Sequence, residues 1–195
     1  MYTVTITRDV LTFDELRERG GKAFDRACEY VRDIATPDSF ILSDYLSEEL
    51  RDIAGDDAEL TEYAVNYSQG DGVNIRADIR LADAPTPSVG PKLPALDGVE
   101  RLRVSPWSPR HLGSACHVDI TWTDTQAEAI ESMSYADECA TTARVEDAVG
   151  EWYRATCAHL YAYACADIEY WWDVDNVAEF ATDNAMEFYS DGSPL

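Results

Sequence analysis

The sequence predicts an α+β protein: a mostly antiparallel sheet of four or five strands packed by three to five helices, with a helical C-terminal third. Before residue 123, apolar and polar residues alternate in several short runs, which is typical of half-buried strands. After it, apolar residues recur every three or four positions, which is typical of helices. A chain of 195 residues suits one domain, so we predict a single domain over 1–195.

The N-terminal part predicts a strand followed by a helix. Residues 2–6 alternate apolar side chains with threonine, which indicates a short strand. Thr12 and Glu15 have the spacing of a capping box, so we expect a helix from Thr12 to about Ile34. The Gly20-Gly21 pair is the weak point of that helix.

The next elements are a short helix and a hairpin. Ser43 or Ser47 is the predicted cap of a helix that runs through Ile53. Two alternating runs within 61–81 flank the turn sequence Gln69–Gly72, and together they predict a β-hairpin.

The middle of the chain continues with a loop and two strands. Four prolines make 82–98 an internal Pro-rich loop rather than a linker between domains. Residues 99–104 predict an edge strand, and Cys116–Trp122 alternates as a further strand.

Helices fill the C-terminal part, 124–195, which is also its most acidic part. Thr125 starts one predicted helix. Thr142 caps the longest one, which runs from Val145 to about Trp172, and 174–188 forms the last.

Charge limits the classes of partner. The chain has 38 acidic and 15 basic residues, a net charge of −23. Residues 124–195 hold 16 acids against only Arg144 and Arg154. Such a chain repels phosphate backbones and anionic membranes, so we expect no direct nucleic acid and no membrane partner. A basic protein, above all one that binds nucleic acid, is the expected partner.

Cysteine usage and the N-terminus point to the cytoplasm. The five cysteines are an odd number without a CxxC motif, which suits free thiols in a reducing compartment. No apolar run has the length of a membrane span, and we expect no signal peptide.

Carboxylates recur at every fourth position near the C-terminus. This ladder consists of Asp175, Glu179, Asp183, Glu187 and Asp191, and a shorter row consists of Glu48, Asp52 and Asp56. On a helix this step is about 6 Å, close to the phosphate spacing along one DNA strand. No basic residue follows Arg154 to offset the ladder. The rows therefore predict a surface that imitates a phosphate backbone, although a solvated helix face or adaptation to salt gives the same pattern.

A second group of polar residues predicts an alternative, ligand-binding site. Its candidate residues are Gln69, Asp71, Arg110, His111 and His117. The turn glycines favour a plain hairpin, and two histidines fall short of the three or four converging ligands that a metal needs. We therefore predict no metal, no cofactor and no catalytic residue. No short catalytic motif occurs, which favours a non-enzymatic role.

The order of these motifs resembles that of a group of small acidic bacteriophage and prophage proteins. The resemblance rests on Thr12–Leu16, Tyr67–Gly72, the Arg110–His117 segment and Glu187–Gly192. It implies a phage origin but no mechanism, and it provides no established catalytic residues to carry over. Some members are labelled antitoxin-like.

The sequence thus predicts a phage accessory protein in the host cytoplasm. Its expected role is to inhibit a basic host protein that binds nucleic acid, by presenting carboxylates in place of phosphates. Two alternatives remain: a protein that binds or hydrolyses a small ligand such as a nucleotide, and an antitoxin-like binder of a basic toxin.

Overall fold

A computed structural model of the chain describes residues 9–35, 39–65, 71–107 and 112–195. Within these ranges it confirms the α+β class, with two antiparallel sheets and six α-helices, one more than expected. The helices are α1 Phe13–Arg19, α2 Gly21–Ala35, α3 Ser39–Ala54, α4 Asp124–Glu131, α5 Tyr135–Trp172 and α6 Val174–Asp183. The strands are β1 Val10–Thr12, β2 Glu59–Ala64, β3 Gly72–Arg80, β4 Val99–Pro106, β5 Cys116–Trp122 and β6 Glu187–Tyr189.

The described residues group into two compact units. Unit 1 takes its residues from Met1–Asp38 and Ala166–Leu195, and unit 2 is drawn from Ser39–Cys165. Each unit has its own hydrophobic core. That the chain forms a single domain stays a prediction.

Unit 2 contains the four-stranded antiparallel sheet, in the order β2-β3-β4-β5. The predicted hairpin is confirmed, because β2 and β3 pair antiparallel. The prediction that 99–104 forms an edge strand is wrong: β4 pairs with both β3 and β5. Alternate residues of β3 and β4 bury their side chains in one core with α3 and α5, a group that includes Ile75, Ile79, Leu102, Leu50, Val149 and Tyr153.

The long helix of unit 2 starts earlier than the sequence predicted. Thr142 lies inside α5 and does not cap it. Ser134 takes that role, because its hydroxyl accepts a hydrogen bond from the Asp137 backbone N–H at 3.3 Å and donates one to the Asp137 carboxylate at 2.7 Å. The prediction failed because it relied on apolar periodicity, and residues 135–144 have little of it. The true start is marked only by the polar side chains of Ser134 and Asp137.

Two other helices of unit 2 also begin before their predicted caps. The Ser47 hydroxyl donates to the Ser43 carbonyl oxygen at 2.7 Å, so both serines lie within α3. Helix α4 begins at Asp124, where the Thr123 side chain accepts from the Gln126 backbone N–H.

Unit 1 confirms the predicted capping box. The Thr12 hydroxyl accepts from the Glu15 backbone N–H, and the Glu15 carboxylate accepts from the Thr12 N–H. The expected helix is interrupted at Gly20, which has φ +65°, so α1 and α2 are separate helices. The strand predicted for 2–6 lies outside the described residues.

The last predicted helix is too long. Helix α6 ends at Asp183, and the chain then forms β6, which pairs antiparallel with β1. Phe188 of β6 is fully buried, with its ring centroid 6.0 Å from that of Phe13. This tertiary burial overrides the local helical spacing.

Candidate functional site

The C-terminal ladder does not form one continuous helical row. Asp175, Glu179 and Asp183 lie on α6, which ends at Asp183. Glu187 lies on β6, and Asp191 lies in the turn after it. The prediction of five carboxylates at a helical step is therefore wrong beyond the third.

Two ladder carboxylates have basic partners in unit 1. Asp175 accepts a hydrogen bond from Arg17 at 2.5 Å, and an Asp191 carboxylate oxygen lies 3.5 Å from an Arg26 guanidinium nitrogen. The expectation of missing counter-ions, drawn from the segment after Arg154, is wrong for these two. The ladder residues that form no ion pair with any described residue are Glu179, Asp183 and Glu187.

The shorter predicted row is also interrupted. Glu48 and Asp52 lie on α3, whereas Asp56 follows the helix end in a turn. The Asp52 carboxylate accepts hydrogen bonds from the backbone N–H and the hydroxyl of Ser88, at 3.0 and 3.1 Å. Asp52 therefore holds the Pro-rich loop against α3, which gives this residue a structural role.

Unit 2 presents a further set of exposed carboxylates, along α4 and the first part of α5. We call it the α4–α5 acidic surface: Asp124, Glu128, Glu131, Asp137, Glu138, Glu146, Asp147 and Glu151. All eight side chains are exposed, and none forms an ion pair with a described residue. Arg144 is the only basic residue between Asp124 and Glu151. The signal for this surface in the sequence was the charge imbalance together with two pairs at four-residue spacing, Asp124/Glu128 and Asp147/Glu151.

Of the predicted ligand-binding residues, His117 lines a groove beside β5. Its ring stacks on Trp107, with centroids 4.0 Å apart and planes 27° from parallel. The groove has a volume of about 310 Å³, and α5 contributes Glu146, Asp147 and Arg154 to its wall. It therefore presents an aromatic surface together with groups of both charges.

Asp71 lines a second, smaller cavity that shares one residue with the groove. This cavity has a volume of about 200 Å³ and lies against Leu112, Arg154 and Tyr161. Arg154 thus lines both the groove that contains His117 and the cavity that contains Asp71. Arg154 is not among the residues that the sequence predicted for this site. The other three predicted ligand-binding residues, Gln69, Arg110 and His111, lie outside the described residues.

Gly150 is an unusual residue in the groove wall, because it lies in the interior of α5. A glycine there destabilises a helix by about 0.8–1 kcal/mol relative to alanine. A Cβ on Gly150 would meet only the Arg154 Nη1, at 3.5 Å, which is an ordinary contact. Packing within unit 2 therefore does not require glycine at this position.

Two cysteine thiols of unit 2 and the metal-ligating side chains bear on two further kinds of chemistry. Burial raises the pKa of the Cys116 thiol to about 11 and that of Cys157 to about 12. Both thiols are therefore protonated at neutral pH and poor nucleophiles. His159 is paired with Glu49 at 2.8 Å, and no group of metal-ligating side chains occurs in the part of the chain that the structure covers.

Comparison with protein-family models, curated proteins and solved structures finds no match to this chain. The resemblance to small phage proteins therefore stays a prediction. Among the described residues, no helix is long and apolar enough to cross a membrane.

Proposed function

We propose that this chain is an acidic binding protein that occupies the basic, nucleic-acid-binding surface of a host protein. The observation that carries the proposal is the α4–α5 acidic surface, with eight exposed carboxylates and no ion pairs to described residues. The surface would present carboxylates where a nucleic acid presents phosphates. The resemblance to phage proteins supports a phage accessory role in the host cytoplasm.

Repulsion within the surface supports this role, most clearly on α4, which has no basic residue. Asp124 and Glu128 are four residues apart on α4, and so are Asp147 and Glu151 on α5. Like charges at this spacing destabilise a helix by roughly 0.2–0.5 kcal/mol per pair. Helices that only need solubility commonly offset such pairs with lysine or arginine. A basic partner would relieve the same repulsion on binding.

The test is capture of a partner from a bacterial lysate, followed by charge reversal. The variants are Asp137→Lys/Asp147→Lys/Glu151→Lys on the α4–α5 acidic surface and Glu179→Lys/Asp183→Lys/Glu187→Lys on the unpaired ladder residues. We expect one dominant nucleic-acid-binding protein that is released by duplex DNA and weakened near 0.5 M salt. The first variant should lose it, and any contribution of the ladder will appear in the second.

A matched control makes the same charge change on α2. Asp25, Glu29 and Asp33 are exposed at four-residue steps there, but basic residues lie between and beside them. The triple lysine variant of these positions should retain the partner. Capture that survives the α4–α5 variant, or a partner that duplex DNA does not release, would overturn the proposal.

A second candidate function is the binding of a small ligand in the groove beside β5. The specific observation is Gly150, whose missing side chain leaves the groove wall open although alanine fits the helix. The stacked Trp107 and His117 rings offer a surface for a planar group, and Arg154 offers hydrogen-bond donors.

Thermal-shift measurements with nucleotides and metal ions test this candidate. A shift that disappears in both His117→Ala and Gly150→Ala supports binding in the groove. A flat response across the panel counts against it.

A further inference from the structure

A cavity of about 570 Å³ in unit 2 lies away from both candidate sites described above. It lies where α3 ends, at the end of β3 and beside β4. Three arginines contribute to its wall: Arg51, Arg80 and Arg101. Its volume is within the range of roughly 300–1,000 Å³ that small-molecule sites have.

Two of these arginines lie directly opposite each other across neighbouring strands. Arg80 of β3 is the register partner of Arg101 of β4, so their side chains project from the same face of the sheet. Like charges in this position destabilise a strand pair. A bound anion between or beside the two guanidinium groups would relieve this repulsion. The pairing of Arg80 with Arg101 therefore indicates an anion-binding site.

The neighbouring carboxylate, Asp78, offsets the charge of only one of the two opposed arginines. Asp78 accepts hydrogen bonds from Arg101, through both guanidinium Nε and Nη2, and from Arg103 Nε at 3.0 Å. These arginines hold the pKa of the Asp78 carboxyl below its usual range. Asp78 is therefore the ion-pair partner of Arg101 and Arg103. The Arg80 side chain forms no hydrogen bond or ion pair with a described residue.

Arg51 is the second arginine at this cavity without a partner among the described residues. It lies in the last turn of α3, where the helix dipole favours a cation. In a chain with 38 acidic residues, these two guanidinium groups have no carboxylate partner within the part of the chain that the structure describes. Each keeps up to five N–H donors available, in a geometry that suits a phosphate or a carboxylate.

The wall of the same cavity also carries acceptors. Asp56, Asp57 and Asp83 line the same cavity, are exposed, and form no ion pair with a described residue. A simple anion would meet these carboxylates as well as the arginines. The cavity therefore fits a molecule that carries both an anionic group and N–H donors.

We propose that this cavity binds a small molecule with a phosphate or carboxylate group at Arg51 and Arg80 and amino or amide N–H donors at Asp56, Asp57 and Asp83. Nucleotides with amino or imino donors on the base and free amino acids share this chemistry. The site is separate from the surface proposed for protein binding, so either proposal can fail alone.

Isothermal titration with five probes tests the proposal. GMP and L-glutamine carry both kinds of group, whereas inorganic phosphate and ribose 5-phosphate lack the N–H donors and guanosine lacks the anion. We expect GMP or L-glutamine to bind, and the probes that lack one kind of group to bind at least about tenfold more weakly. Absence of binding by both GMP and L-glutamine at millimolar concentration would overturn the proposal.

Arginine variants locate the site and separate binding from folding. Arg80→Gln should lower the affinity for the probe by about tenfold or more, because a charge-assisted hydrogen bond is lost. The control is Arg76→Gln, four residues earlier on β3, where the side chain is paired with Glu59 at 3.7 Å and does not line the cavity. Equal affinity of Arg80→Gln and the unsubstituted protein, or an equal loss in Arg76→Gln, contradicts the assignment.

The same variant has an expected effect without ligand. Arg80→Gln removes one member of the cross-strand pair of like charges, so the ligand-free protein should melt roughly 1–3 °C higher. A purely structural role for Arg80 gives the opposite sign, a lower melting temperature.

Discussion

Asn74 is the buried polar residue whose removal has the most clearly defined cost. It lies on β3 and is 1% exposed. Its Oδ1 accepts hydrogen bonds from the backbone N–H of Gly113 at 2.9 Å and from the hydroxyl of Tyr153 at 3.2 Å. Asn74 thus ties the strand to the loop before β5 and to α5. Substitution by alanine leaves the Gly113 N–H without its acceptor and removes one hydrogen bond of the Tyr153 hydroxyl, which also contacts Cys157.

The expected cost of Asn74→Ala follows from those two donors. The Gly113 N–H without a partner costs about 1–3 kcal/mol and the lost Tyr153 hydrogen bond about 0.5–1.5 kcal/mol, so the free energy of unfolding should fall by about 1.5–4.5 kcal/mol. Tyr153→Phe removes one donor together with its hydrogen bond and should cost only about 0.5–1.5 kcal/mol. In the Tyr153→Phe background Asn74→Ala affects only the Gly113 N–H. The cost of Asn74→Ala should therefore be lower there by about 0.5–1.5 kcal/mol.

Urea unfolding followed by tryptophan fluorescence measures both effects, because Trp152 is buried beside Tyr153 in the core of unit 2. A cost of Asn74→Ala below about 0.5 kcal/mol would show that the carboxamide is not the acceptor for these donors. Equal costs in the two backgrounds would show that Tyr153 does not depend on Asn74.

Three further predictions concern stability. The Thr156 hydroxyl is fully buried and has no hydrogen-bond partner among the described residues. Thr156→Val should therefore raise the free energy of unfolding by about 1 kcal/mol, and a lower free energy of unfolding would show that the hydroxyl does form a hydrogen bond. Gly150→Ala should stabilise α5 by about 0.5–1 kcal/mol in urea unfolding, and a destabilised variant would mean that packing does require glycine. Arg101 and Arg103 lower the pKa of Asp78 in the folded state, so its contribution is present above the unfolded pKa of about 4 and is lost as the pH falls through the lower folded value. Asp78→Asn should therefore flatten the loss of stability below about pH 4, and an unchanged acid profile would contradict this origin.

Local signals in the sequence predicted much of the fold. The capping box of Thr12 and Glu15 and the alternation of Cys116–Trp122 act over a few residues, and both are confirmed. The hairpin of β2 and β3 is confirmed for the same reason, since the two alternating runs lie close together in the chain.

Contacts between distant parts of the chain account for the failures. The end of α6 depends on Phe188, which pairs through β6 with a strand near the N-terminus. The counter-ion of Asp175 is Arg17, 158 residues away in the sequence. No periodicity within one segment can reveal such partners.

The candidate sites show the same division. Charge counting located the acidic C-terminal part, but only the fold shows that α4 and the first half of α5 expose the uncompensated carboxylates. The opposed Arg80 and Arg101 depend on the register between β3 and β4. The sequence gives no direct signal for that register.

Competition for one surface is the central claim, and displacement of labelled DNA measures it most directly. The captured host protein is bound to a fluorescent duplex, and this acidic protein is added while the polarisation is followed. We expect this protein to release the duplex completely. Release should require more of this protein at higher salt, and the Asp137→Lys/Asp147→Lys/Glu151→Lys variant should cause none. A ternary complex, in which the host protein keeps its duplex while it binds this chain, would contradict the account.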